Sequence, residues 1–73
     1  MARKDSYEKF LERFAANLKR IRRANGLTQE QMAERGFNYR FYQKLESGSY
    51  SPTLKTLHRV ASALGVKVED LVK

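Results

Sequence analysis

The stretch from Thr28 to Ser47, TQEQMAERGFNYRFYQKLES, admits few structures. Its spacing predicts two short helices joined by a tight turn. Thr28 stands as an N-cap, and Gln31 follows at the capping-box distance, where hydroxyl and amide each satisfy a backbone N–H of the other residue. Met32 and Ala33 face inward, and Leu27 staples the start. Gly36 stops this first helix after about two turns, because glycine adopts the left-handed conformation that ends helices. Phe37 is expected to be buried in the turn, and Asn38 is a good cap for the second helix. Phe41, Tyr42 and Leu45 then recur on one face, while Tyr39, Arg40, Gln43 and Lys44 project from the other. Gly48 ends the second helix.

The flanks are helical too. Met1 to Asp5 is short, charged and expected to fray, with Ser6 as the cap of a long first helix. Tyr7, Leu11, Phe14, Leu18 and Ile21 alternate steps of four and three, which draws one stripe down one face. Phe10 and Ala15 widen it, and Lys9, Glu12, Arg13, Lys19, Arg20 and Arg23 oppose it. The stripe is too short for a coiled coil before Asn25-Gly26 ends it; its Tyr7 end fits either core packing or a contact between subunits. The KRIRR run, Lys19 to Arg23, fits either a phosphate patch or a solvated face. Ser49 to Pro52 is a loop, with Ser51 or Thr53 capping a helix whose stripe is Leu54, Leu57, Val60, Ala61 and Leu64. After Gly65, an apolar tail of Val66, Val68, Leu71 and Val72 makes a last turn or two, behind a poor cap at Lys67. No stretch alternates with a strand's period of two. The expectation is all-α: one compact domain, residues 1–73, of five helices, with its motif at 28–47.

A chain of 73 residues has room for one core, and a domain this short is marginally stable. It has no Cys to staple it, so a second subunit is one remaining way to bury apolar surface. Fifteen Lys and Arg against eight Asp and Glu give a net charge of +7. That charge favours polyanions, either nucleic acid or an anionic membrane surface. No apolar run approaches the ~20 residues that cross a bilayer, and the N-terminus lacks a signal peptide's apolar core. A cytoplasmic location is expected. The single His58 falls on a polar face, and with no Cys and no clustered carboxylates there is no metal site. No nucleophile–base pair or Gly-rich phosphate loop is present, so neither an enzyme nor a cofactor or small-molecule ligand is expected.

Three fragments in order, L-T-Q-E-x-M-A-E at 27–34, L-E-S-G at 45–48, and P-T-L-x-T-L with A-L-G-V at 52–66, give the chain a family likeness. It resembles the lambda-repressor-like (Cro/repressor, XRE-like) helix-turn-helix domains over roughly Leu18 to Val72. The resemblance implies sequence-specific binding of double-stranded DNA. It implies base contacts from Tyr39, Arg40, Gln43 and Lys44, and phosphate contacts from Gln29 and Asn38. Glu46 matches a structural carboxylate that pairs with a basic residue on the first helix, which by offset is Arg22. The chain departs from the family in one place: Ala33 to Glu46 is one residue shorter, with the loss at Gly36.

The chemistry of the outward residues leaves alternatives. Arg40 suits the bidentate contact to guanine O6 and N7, and equally a phosphate. Lys44 donates to a base or a phosphate, or is merely solvated. Tyr39 meets a thymine methyl or a phosphate, or covers the turn; Gln43 bonds adenine or lies along the backbone. Ser47, Tyr50, Ser51 and Lys55 flank the next helix start, where free N–H groups favour phosphate, though an ordinary solvated loop fits them as well. A lone domain reads one half-site, so a homodimer on a pseudo-palindromic operator is expected, as in a small repressor or controller. Val66, Val68, Leu71 and Val72 either form its interface or close the monomer core. The rival functions are a protein-interaction module such as an antitoxin, and a nonspecific nucleic-acid binder.

Overall fold

The structure is a computed structural model that describes the backbone from Arg3 to Lys73 and the side chains from Tyr7 onward. Five helices succeed one another: α1 (Arg3–Ala24), α2 (Gln29–Glu34), α3 (Tyr39–Ser47), α4 (Leu54–Leu64) and α5 (Val68–Val72). Among the described residues there is no strand. None of these helices is long and apolar enough to cross a membrane.

The first helix starts earlier than expected. It already runs through Ser6, so that residue is interior to the helix and not its cap. Arg3, Lys4 and Asp5 contain no breaker, and Arg and Lys are good helix formers. Of the segment expected to fray, Met1 and Ala2 lie outside the described residues, as do the side chains through Ser6.

Leu11, Phe14, Leu18 and Ile21 carry the α1 stripe into a core shared with Met32, Phe37, Tyr42, Leu45, Val60, Ala61, Leu64 and Leu71. Both helical stripes are shorter than their sequence patterns. Tyr7 is 50% exposed and Phe10 37%, and Leu54 is 82% exposed. Each lies in the first turns of its helix; Tyr7 and Phe10 border an open groove with Leu57 and Val72 and are not enclosed by it. Periodicity marks a face but not how far along it a neighbour extends.

The motif is built as its residues dictate. Thr28 Oγ1 accepts from the Gln31 N–H at 3.0 Å, and Gln31 Oε1 accepts from the Thr28 N–H at 2.8 Å. Asn38 Oδ1 caps α3 by accepting from the Phe41 N–H at 3.0 Å. The short turn between α2 and α3 is closed by Gly36 at φ 108°, a conformation that a Cβ disfavours. Phe37 then drops into the core and stacks obliquely on Tyr42, ring centroids 6.0 Å apart.

Residues outside the motif brace that turn. Arg59 of α4 donates from Nη2 to the Gly36 carbonyl at 2.7 Å, and its guanidinium lies 4.9 Å from the Phe37 ring centroid. Arg35 returns across the same junction to the Ala63 carbonyl at 2.8 Å. Two arginines thus tie the shortened turn to α4.

At the other end, α5 packs on α1. Leu71 is fully buried, and its carbonyl accepts from Asn17 Nδ2 at 3.1 Å. Of the two alternatives for Leu71, its burial fits closure of the monomer core. Val66, Val68 and Val72 are half-buried against that same core.

Candidate nucleic-acid interface

The outward face of α3 is a row set by helical spacing. Tyr39, Arg40, Gln43, Lys44 and Ser47 fall at steps of one, three, one and three, which keeps them on one side. All five are exposed, whereas Tyr42, Leu45 and Glu46 behind them are buried. Arg40, Gln43, Lys44 and Ser47 line one shallow depression on this side. Among the described residues neither Arg40 nor Lys44 has an ion-pair partner, so both cations are presented to solvent unneutralised.

Beneath this row lies the pair expected from Arg22 and Glu46. Arg22 Nε donates to Glu46 Oε2 at 2.6 Å and Nη2 to Oε1 at 3.0 Å, a two-pronged contact with both residues buried. The remaining guanidinium nitrogen, Nη1, donates to the Leu27 carbonyl at 2.7 Å. One side chain therefore joins α1, the start of the motif and α3. The planar fork of arginine makes this geometry possible; lysine has no equivalent. Burial pushes the Glu46 carboxyl upward, but hydrogen bonds from Arg22 and Gln29 outweigh it and hold the pKa below its ordinary value. The bond to Glu46 in turn raises the pKa of Arg22.

Hydrogen bonds lead from that buried pair to the surface. Gln29 Nε2 donates to Glu46 Oε1 at 3.0 Å. Gln43 Nε2 donates to Tyr39 Oη at 3.1 Å and more weakly to Gln29 Oε1 at 3.4 Å. Gln29 is thus half-buried between the two groups, bracing α3 with its own side chain. Gln43 and Tyr39 are tied together before any ligand arrives. The Tyr42 hydroxyl is buried nearby, and among the described residues it has no hydrogen-bond partner. Burial raises its pKa strongly, and the adjacent Glu46 carboxylate raises it further.

The expected phosphate contacts divide. Asn38 uses its side-chain oxygen on the helix cap, and among the described residues no hydrogen bond engages its amide nitrogen. Ser47 Oγ donates to the Lys44 carbonyl at 2.7 Å and lies 2.8 Å from Ser49 Oγ. Tyr50 is half-buried edge-on against Phe41, ring centroids 5.3 Å apart. Lys55 is exposed on the first turn of α4. Ser51 is placed apart: its hydroxyl accepts from Tyr7 Oη at 2.6 Å, and it borders an apolar groove with Phe10, Leu57 and Val72. Sequence reasoning misses Arg59 and Arg35. The one signal that points toward them is the missing turn residue, which calls for some external brace.

The helix-turn-helix family model matches residues 18–71. Among curated proteins, an HTH-type transcriptional regulator of Sinorhizobium fredii is 45% identical over 58 residues, 78% of this chain and 75% of that one. A similarly named regulator of Methanothermobacter thermautotrophicus is 48% identical over 52 residues, 68% of this chain and 75% of that one. The immunity repressor protein of Bacillus phage phi105 is 43% identical over 56 residues, 75% of this chain and 39% of that one. No solved structure gives a significant match.

Proposed function

This chain belongs to the XRE-like helix-turn-helix family of DNA-binding transcriptional regulators, and we propose that it is a small repressor or controller reading a pseudo-palindromic operator as a homodimer. The observation that carries this reading is the α3 row. Arg40 and Lys44, without ion-pair partners among the described residues, and the joined Tyr39 and Gln43 stand on a helix whose rotation is fixed from beneath by Arg22–Glu46. A helix of this width enters the B-DNA major groove, and the side chains of its first turns meet base edges. Arg40 takes guanine, and Lys44 a base or phosphate one turn on. Gln29, Asn38, Ser47, Tyr50 and Lys55 set the register by touching the backbone, which positions without specifying.

A second subunit supplies the second half-site, about 34 Å along the same face of the duplex. For that contact the chain offers half-buried Val66, Val68 and Val72. Val72 also borders the apolar groove beside Tyr7, Phe10 and Leu57. Repression results from occupancy: a dimer seated on an operator excludes other proteins from it.

Duplexes selected by the protein from a random pool, titrated beside random duplex, test the reading. A regulator prefers its selected site by ~10³ or more. Arg40→Ala then loses about 1–3 kcal/mol on that site and relaxes the preference at one base pair. Equal losses on every sequence make Arg40 a phosphate contact. A selected-to-random ratio near unity removes the regulator in favour of a nonspecific binder.

A further inference from the structure

Resting on the DNA reading above, we propose that the basic cleft between α1 and the end of α3 is a second, sequence-blind DNA contact: a seat for the phosphodiester backbone flanking the bases read by α3. The cleft has a volume of about 350 Å³. Its α1 wall carries Lys19, Arg20 and Arg23, spaced so that all three meet one side of the helix. Its other wall is Ser47 and Gly48, where α3 ends. Ser47 also lines the depression with Arg40, Gln43 and Lys44. The reading face and the cleft are therefore one continuous surface, joined at that serine. A strand leaving the bases under Lys44 passes Ser47 and arrives between the two walls.

The charge balance favours an anion there. Of the carboxylates that border the cleft, Glu46 is committed to the two-pronged bond with Arg22. That leaves one carboxylate, Glu12, which stands beside Gly48 at the end of the cleft, against three cations. Among the described residues none of the three cations has an ion-pair partner. The shape fits as well. Ala15 and Gly48 bring small surfaces to the bottom of the cleft, and a Cβ at Gly48 would stand 3.8 Å from that of Ala15. Arg20 stands at the outer edge of this wall, where its Nη2 donates to Asn17 Oδ1 at 3.2 Å on the side of α1 that faces α5, and it must leave that bond to reach a phosphate. The KRIRR run thus divides by function. Arg22 turns inward to hold α3, and its neighbours Lys19, Arg20 and Arg23 border the cleft beside it.

Salt dependence tests this directly, because each phosphate contact contributes about 0.9 to the slope of log K against log salt. The full chain is titrated with its selected duplex and with random duplex across a salt series. The combined change Lys19→Gln, Arg20→Gln and Arg23→Gln should flatten that slope by about 2–3. It should weaken both duplexes by the same factor, leaving the selected-to-random ratio unchanged. Glu12→Gln should tighten binding to both. If the combined variant melts early, the single changes Arg20→Gln and Arg23→Gln, both at exposed positions, should each flatten the slope by about 0.9. An unchanged slope in a folded variant overturns the seat and leaves the α3 reading intact, as does a loss confined to the selected sequence. Failure of the unaltered chain to bind any duplex overturns the DNA reading and the seat together.

Discussion

The helices α3 and α5 are both short and both bury apolar side chains, Tyr42 and Leu45 from one and Leu71 from the other, but they differ in what is added to that burial. Directional bonds fix α3: a side-chain cap from Asn38, a two-pronged buried ion pair through Glu46, and Gln29 alongside. Apolar burial fixes α5, chiefly through Leu71, supplemented by the Asn17 amide on the Leu71 carbonyl and an aspartate reaching back to the cap. There Asp70 Oδ2 accepts from the Lys67 N–H at 3.0 Å, and an exposed ion pair with Lys73 adds little. Burial is indifferent to a few degrees of rotation, which suffices for an element that closes a core. On the proposed reading, α3 presents Arg40 and Lys44 in register with base edges, which needs bonds that fail when the helix rotates.

The largest expected effect is at Glu46. Glu46→Ala leaves the Arg22 guanidinium buried without its partner, at about 3–5 kcal/mol of stability. Because the pair orients α3, affinity for the selected duplex falls as well, even at temperatures where the variant is folded. An unchanged melting temperature together with unchanged affinity rejects that role. Leu71→Ala comes next: a fully buried leucine is lost at about 2–5 kcal/mol, yet the folded fraction should bind DNA with unaltered specificity. Were both variants to lose affinity only in proportion to stability, the contrast between the helices would collapse.

Acid sharpens the same contrast. The folded pKa of Glu46 lies below its ordinary 4.5. The stabilisation from that group is therefore complete above about pH 4.5 and drains away as pH falls toward the lowered folded value. Denaturant midpoints followed down to roughly pH 3 should show this loss, and Glu46→Gln should flatten it. The smallest effects are at the caps. Asn38→Ala should destabilise by ~1 kcal/mol, whereas Lys67→Ser should stabilise by a few tenths to ~1 kcal/mol, because only the second position lacks a side-chain cap. Thermal melts of the two variants moving in the same direction would contradict the assignment.

Much of this architecture is legible in the residues. Thr28 with Gln31, Asn38 and the glycines mark their helix ends through local chemistry that depends on no distant partner. The Arg22–Glu46 pair joins residues far apart in sequence, and only family likeness points to it, since nothing local predicts it. Reach is illegible. Tyr7, Phe10 and Leu54 sit on correct apolar stripes yet are exposed, because a stripe does not reveal where its covering neighbour stops. The same limit applies to Leu71, whose pattern fits a subunit interface and a core equally until α1 is seen to cover it. The Arg59 brace on Gly36 depends on how α4 crosses the turn, a tertiary fact with no local trace.

The central claim is that DNA lies against the outward face of α3. Amide chemical-shift perturbation of the isotope-labelled chain, titrated with its selected duplex, tests it residue by residue. The largest shifts are expected at Tyr39, Arg40, Gln43 and Lys44, smaller ones at Gln29 and Asn38, and little change at Leu71. Shifts confined to α5 and the Tyr7–Phe10 groove, with α3 silent, would contradict it.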